Sequence, residues 1–302
     1  MVTNLISLAK QSLRQWIIRV FAERALTFAT PYEARQGQAP HWLGKCNVCG
    51  EATAFYCENP ATARESMACS VCRSPTRYRA VARGVLMAIE NLTGIAAQDL
   101  KQLSRLKSKR RIRVFDTQVP FEGTGVSYPL PSFLRKVDWI DIEVSMYKPD
   151  LKPGISLGDG VTNQNLENLT FPDSSFDIVV TSDVMEHVRR DDIAHAEIAR
   201  ILKSGGFYVF TVPNVPEWQE TKTYIKVNDP LDAGKDEVLI AESHGDWDNP
   251  DKCVPVFRIY GRDLENGLSS AGLKMTRLAD DIPGNGIIAC DLLFCQNIKN
   301  SR

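Results

Sequence analysis

The 302-residue sequence contains no uninterrupted apolar run long enough to span a bilayer, and no apolar stretch followed by a small-residue cleavage site. Its first segment, Met1 to Phe28, is broken by Lys10, Arg14 and Arg19. These absences argue against a secreted or helix-anchored protein. The expected compartment is the reducing cytoplasm, where paired cysteines more often hold metal than form disulfides. Internal repeats and low-complexity tracts are also missing, and with 43% apolar and 24% charged residues the composition is that of one large core plus a smaller unit. A net charge of -1 hides an asymmetry: up to Arg113 there are 18 Lys and Arg against 7 Asp and Glu, and beyond it 18 against 30. The basic half can meet phosphates or an anionic membrane, or dock on the acidic half.

Of the eight cysteines, four form two close pairs, Cys46-x-x-Cys49 and Cys69-x-x-Cys72, separated by nineteen residues from Gly50 to Ala68. Two thiolates from each tight turn can converge tetrahedrally on one zinc ion, and Gly50 supplies the turn after the first pair. Four protein ligands leave no open position, so this zinc is expected to be structural. Cys57 is spare, and Cys290 and Cys295 fall in an apolar strand as small buried hydrophobes. Arg73, Arg77, Arg79 and Arg83 follow the second pair, as an anion-binding face or a solvated, ion-paired one.

Periodicity predicts an amphipathic helix over Leu5 to Phe21, docked on its own domain or a dimer partner, or lying on a membrane surface. A Pro/Gly-bearing linker follows over Pro31 to Gly44, then a helix from Thr76 to Ile89 and a second helical stretch near Asp99 to Leu106. Strands are predicted at Arg111 to Asp116, Val137 to Ile142, Phe176 to Ser182 and Phe207 to Val212. A helix over Asp191 to Leu202 is closed by Gly205-Gly206. A polar stretch, Asn214 to Pro255, precedes a helix at Asp263 to Ala271 and strands at Leu273 to Leu278 and Ile287 to Gln296. Alternating strands and helices imply an α/β fold with a mostly parallel sheet, and two closing strands imply an antiparallel final strand. The expected division is an N-terminal helix and linker over 1-44, a small zinc-ribbon-like module over 45-75 and a large domain over 76-302.

The stretches FPDSSFDIVVTSDVMEHV, Phe171 to Val188, and EIARILKSGGFYVFTVP, Glu197 to Pro213, resemble the central signature of class I S-adenosylmethionine-dependent methyltransferases of the type 11-like kind. With the cysteine pairs, His244-Gly245-Asp246 and Tyr260-Gly261-Arg262-Asp263-Leu264, the chain is similar to a subgroup often associated with glycosyltransferases. The resemblance covers about Cys46 to Asn297 and implies a Rossmann-like fold. It also implies S-adenosylmethionine as cofactor and O-methylation of a sugar or cell-envelope metabolite, with a small-molecule or glycan acceptor as partner. Ligands are then expected at the carboxyl edge of the sheet. Asp116 is placed to orient the cofactor ammonium, with Thr117 beside it, although no glycine-rich loop follows that strand and Gly123 and Gly125 come late. Asp141 is the simplest ribose acid; in the alternative register of Ser145-Met146-Tyr147 the acidic position holds Met146, with Glu143 as fallback. The adenine position reads Gln164-Asn165-Leu166, where Asn165 offers an amide oxygen without charge.

Asp183 faces the pocket in this reading, and His187 is the first candidate for general base because imidazole titrates near neutral pH; Glu186 and His187 could instead cap the following loop. His244 is the second candidate, as base or substrate hydrogen-bonding group, while His195 and His41 are expected to be solvated. A degenerate methyltransferase fold serving as a binding module is the competing reading, supported by the altered cofactor positions. An RNA methyltransferase is disfavoured by the acidity of the large domain.

Overall fold

The computed structural model describes residues 42-56, 62-122, 126-245 and 253-299. The expected helix over Leu5 to Phe21, His41, Cys57, Gly123, Gly125 and Asp246 lie outside the described residues. No helix among the described residues is long and apolar enough to cross a membrane.

By contact the chain divides into two interleaved compact units, one comprising Met1-Arg111, Pro120-Ile140 and Leu278-Leu292, the other Ile112-Val119, Asp141-Arg277 and Leu293-Arg302. The expected boundary at residue 75 falls inside the first unit. The helix Thr76-Thr93 belongs there with the cysteines, because twelve of its residues, from Thr76 to Ile89, are buried. It ends at Gly94, whose positive φ of 73° closes the last turn.

In the first unit the strands Trp42-Lys45, Ala52-Tyr56 and Ala68-Cys69 form a small antiparallel sheet. Phe55 is fully buried on it against Gly286, where φ is +65° and an added Cβ would sit 2.5 Å from the ring. Only glycine fits both constraints.

The second unit is built on an eight-stranded sheet in the order Leu273-Leu278, Leu292-Asn297, Leu202-Thr211, Phe176-Ser182, Ile112-Asp116, Ile140-Met146, Val161-Asn163, Ser156-Gly158. The strand Phe176-Ser182 is parallel to both of its neighbours, and Ile140-Met146 is parallel to Val161-Asn163. Leu292-Asn297 runs antiparallel to Leu202-Thr211, as the two closing strands imply, and Ser156-Gly158 adds a short antiparallel edge that the sequence pattern did not reveal. All seven residues of Phe176-Ser182 are buried, as a central parallel strand covered on both faces requires. The helices Asp191-Ile201 and Leu264-Ser270 contribute Ala194, Ile198, Ile201, Leu264 and Leu268 to its core.

Two boundaries differ from expectation with consequences for function. The chain turns at Val137, whose carbonyl accepts the Ile140 N-H at 2.9 Å, so the second parallel strand begins at Ile140 and runs on to Met146. Gly205-Gly206 does not stop the preceding helix, which ends at Ile201. The pair lies inside Leu202-Thr211, where the register against Phe176-Ser182 shifts and Gly205 takes a φ of +74°, a bulge that only a residue without Cβ adopts easily.

His195 is likewise not solvated. It is 2% exposed on the inner face of its helix, edge-on to Tyr208, with ring centroids 6.0 Å apart, and also 6.0 Å from Phe210.

Candidate functional site

In the first unit the four paired cysteines converge. The Sγ atoms of Cys46 and Cys72 are 3.7 Å apart and those of Cys49 and Cys69 3.9 Å apart, with all four within 4.8 Å of one another. Four sulfurs arranged tetrahedrally 2.3 Å from a zinc ion stand about 3.8 Å apart, so the spacing fits that ion and is far too long for disulfides. The turns are made as the sequence requires: Gly50, at φ +71°, donates its N-H to the Cys46 carbonyl at 2.8 Å, and Arg73 donates to that of Cys69 at 2.9 Å. The Val71 and Cys72 N-H groups point at the Cys69 sulfur, 3.4 and 3.5 Å away, which favours its thiolate form.

Behind this cluster lies Arg79. It belongs to neither face expected for the arginine run, because it is fully buried, stacked 4.5 Å over the Phe55 ring, and donates to the carbonyls of Ser74, Met67 and Gly286. Arg77 pairs instead with the half-exposed Glu65 at 2.9 Å. A zinc ion held by four thiolates would carry two negative charges, and Ser74, whose hydroxyl stands 3.1 Å from the Cys72 sulfur, would link the guanidinium to it. Replacing Arg79 with Met takes the donor from the Met67 carbonyl and one of two from the Ser74 and Gly286 carbonyls, which keep the Cys69 N-H and the Thr76 hydroxyl, and is expected to cost about 3 kcal/mol. Arg77 is buried but its partner Glu65 stays half-exposed and can be rehydrated, so Arg77→Met should cost less, about 1 to 2 kcal/mol. Chemical denaturation of the two variants checks the order.

A cleft of about 680 Å³ lies in this unit, lined by Arg73, Phe121, Ser127, Tyr128, Phe133 and Lys136 among others. All of its lining residues belong to the first unit, so it is not the sheet-edge crevice expected to take a cofactor.

In the second unit, Asp116 closes the strand Ile112-Asp116 fully buried, and its Oδ1 accepts the Gln118 N-H at 3.1 Å. Thr117 turns back onto the neighbouring strand, its N-H and hydroxyl both reaching the Val180 carbonyl, at 3.2 and 3.3 Å. Asp183, at the end of Phe176-Ser182, has a φ of +51°. It donates its N-H to the Thr211 carbonyl and accepts the Thr211 hydroxyl on Oδ1, both at 3.0 Å. Asn165 follows Val161-Asn163 at the same edge; its Oδ1 accepts the Glu167 N-H at 2.9 Å, which leaves the second lone pair of that oxygen. Gln164 is spent on the loop, its amide bonded to Thr170 at 2.9 Å.

Asp141 does not join them. It is the second residue of Ile140-Met146 and exposed, and the Arg111 guanidinium bonded to the Asp138 carbonyl at 3.2 Å sets the start of this strand beside the start of Ile112-Asp116. Asp141 therefore lies at the amino edge, opposite Asp116. The carboxyl edge of this strand ends on Ser145 and Met146, and Glu143 is engaged by the Thr162 hydroxyl at 3.1 Å. The three-residue shift of the strand start is the cause: the apolar Val137-Asp138-Trp139-Ile140 reads as strand, but Trp139 is drawn into the turn by its indole N-H on the Leu106 carbonyl at 2.9 Å.

Past Asp183 the chain makes one 3₁₀ turn, Met185-His187, that presents Glu186 and His187. A two-stranded ribbon from the polar stretch, Ser243-Gly245 against Cys253-Pro255, brings His244 to them. The Nδ1-H of His187 donates to the Pro255 carbonyl at 2.8 Å, so in the neutral ring the lone pair sits on Nε2, which faces Nδ1 of His244 at 3.2 Å. The Glu186 carboxylate is fully buried, with Oε1 3.7 Å from Nε2 of His187 and 3.9 Å from Nδ1 of His244. Burial holds the His187 pKa below its ordinary value, against the opposing pull of the Pro255 carbonyl. Both histidines singled out in the sequence thus meet across 57 positions. Glu186, read there only as a capping partner, is the third member.

Residues 123-210 match the family described as "Methyltransferase domain". No curated protein matches the chain. Among solved structures, it is similar to an S-adenosylmethionine-dependent methyltransferase from Mesorhizobium loti, at 14% identity over 64% of this chain and 94% of that one, TM-score 0.39. It is similar at 17% identity, over 74% and 96%, TM-score 0.38, to a chain of the complex between the Haloferax volcanii Trm112 methyltransferase activator and a methyltransferase. A third is the Burkholderia thailandensis 1,6-didemethyltoxoflavin-N1-methyltransferase with S-adenosylhomocysteine, at 12% identity over 63% and 72%, TM-score 0.33.

Proposed function

Because residues 123-210 match a methyltransferase domain, we infer that the protein transfers a methyl group from S-adenosylmethionine and that the acceptor group is a hydroxyl, on a sugar or a cell-envelope metabolite. Bound at the carboxyl edge of the large sheet, the cofactor supplies an electrophilic methyl group. Asp116 would hold its ammonium and Asn165 its adenine amino group, with Asp183 lining the wall between the strands Phe176-Ser182 and Leu202-Thr211. Asp141, exposed near the start of its strand, is left out of this reading, and Met146 offers no carboxylate in its place.

The observation that carries the hydroxyl reading is the convergence of Glu186, His187 and His244 just beyond Asp183. Sulfur and amine nucleophiles need little help, whereas a hydroxyl is weak until its proton is drawn off, and this trio is the group at that edge equipped to do so. Positioning supplies the rest of the acceleration. In the first unit, the spacing of Cys46, Cys49, Cys69 and Cys72 supports one structural zinc ion.

Calorimetry with S-adenosylmethionine tests the assignment. Asp116→Asn is expected to weaken binding by about 1 to 3 kcal/mol, the cost of losing a buried charge-assisted hydrogen bond, while Asp141→Asn leaves it unchanged. His187→Ala should retain binding and lose about a hundredfold or more in turnover. If the wild type binds no cofactor at millimolar concentration, the fold serves as a binding module and the enzymatic reading fails.

A further inference from the structure

Three donor atoms of different residues meet at one point in the second unit: Oε1 of Glu186, Nε2 of His187 and Nδ1 of His244. Their separations are 3.2 Å between the two nitrogens, and 3.7 and 3.9 Å from the carboxylate oxygen to each. A point equidistant from three atoms so spaced lies about 2.1 Å from each, the length of a bond from a first-row divalent ion to imidazole nitrogen or carboxylate oxygen. We propose that Glu186, His187 and His244 bind one divalent transition-metal ion, such as zinc, iron(II) or manganese, and that this ion activates the acceptor hydroxyl. The proposal rests on the reading of this edge as the acceptor's place.

Three further features of the site belong to metal ligation. The outer ring nitrogen of His187 is fixed by its N-H on the Pro255 carbonyl, the backbone contact that commonly locks a ligating imidazole in the tautomer with its lone pair facing the ion. The same ribbon carries both that carbonyl and His244, since Ser243 pairs with Pro255 and His244 with Val254, so the ligand and the group orienting its neighbour move as one. The turn holding Glu186 is tied to the segment after the ribbon by the Phe257 N-H on the Glu186 carbonyl at 2.8 Å. A carboxylate with no solvent exposure is costly to keep charged, and a divalent cation between it and two neutral imidazoles offsets that cost. Two nitrogens and one oxygen suit a borderline transition ion better than calcium or magnesium, which take oxygen sets.

Three protein ligands leave at least one coordination position for the acceptor oxygen. Coordination lowers the hydroxyl pKa, the proton leaves to solvent, and the oxygen lone pair forms the new O-C bond as the C-S bond of the sulfonium breaks and its electron pair returns to sulfur. His187 then contributes as a ligand, not as the base itself.

The test is titration of the full-length, chelator-treated chain with cobalt(II), followed by optical spectroscopy, with cofactor calorimetry on the same samples. Two equivalents are expected. One shows thiolate-to-cobalt charge transfer from the cysteine cluster; the second lacks that band and is lost, or weakened at least a hundredfold, in His244→Ala and in Glu186→Gln. His244 is partly exposed on the ribbon, so its variant should fold even if the buried Glu186 variant does not. A wild type that takes only the thiolate-bound ion, or a second site that survives in His244→Ala, overturns the proposal. Cofactor binding without the second ion would sink the metal while sparing the methyltransferase reading; loss of cofactor binding altogether would sink the reading itself.

Discussion

If Cys46, Cys49, Cys69 and Cys72 hold the proposed zinc ion, Cys49→Ser is expected to release it and melt the first unit. The three-stranded sheet there is small, with strands of four, five and two residues, and its order depends on the knuckles at either end. Structural zinc at a four-cysteine site contributes binding free energy of about 10 kcal/mol or more directly to folding, because the unfolded chain has no preformed site. Removing one thiolate forfeits a large share of that, several kcal/mol, which corresponds to a fall of about 10 °C or more in the midpoint of this unit. Cys253 is exposed in the ribbon of the other unit and serves as control, so Cys253→Ser should change neither metal content nor melting. Metal analysis and a thermal scan decide the matter. The assignment is wrong if Cys49→Ser melts like the wild type, or if all four thiols of the folded wild type react freely with a thiol reagent and no metal is released.

Arg79 sharpens this argument. A cation buried without a carboxylate partner among the described residues would be expensive in an apolar core. Three carbonyl acceptors and the Phe55 face make its burial tolerable, and the proposed tetrathiolate zinc, linked through Ser74, would add two negative charges beside it. Loss of metal should therefore weaken more than the cysteine turns.

What was legible in the sequence is what local pattern encodes. The strand Phe176-Ser182 was found residue for residue because a short, β-branched-rich apolar segment between turn signals has few other solutions, and the cysteine cluster because ligand spacing is itself geometry. The misplacement of Asp141 came from an apolar stretch whose strand onset depends on a tertiary contact, the Trp139 indole on Leu106. Periodicity cannot see that contact. The same limit hid the interleaving of the two units, because the segments 120-140 and 278-292 join the cysteine unit by contacts between residues far apart in sequence, such as the Ser127 N-H on the Arg73 carbonyl and Arg79 on the Gly286 carbonyl. At the site, His187 and His244 were each visible as chemistry. Their pairing was not, since a ribbon within the polar stretch brings them together. Glu186 adjoins His187 in sequence, yet only the one-turn helix aims both side chains at the same point.

His195 was misjudged because a lone histidine on a helix reads as polar, and its burial makes a second large effect predictable. Its imidazole is 2% exposed, neither ring nitrogen has a hydrogen-bond partner among the described residues, and burial lowers its pKa to about 3. Arg258 lowers it further, Asp192 opposes the shift, and Tyr208, across the ring, is itself held neutral by burial. An unfolded chain protonates this histidine near pH 6.5, the folded one only near 3, so the unfolded state binds the extra proton between those values. The neutral, buried ring costs nothing on this account above pH 6.5, and stability is lost progressively as pH falls toward 3. The full interval corresponds to about 4 kcal/mol, of which roughly half should be gone by pH 5. His195→Phe, which keeps an aromatic ring between Tyr208 and Phe210, should flatten this portion of the acid limb. Denaturation midpoints at pH 7 and pH 5 for wild type and variant measure the difference, and an equal acid loss in both would show that the proton goes elsewhere.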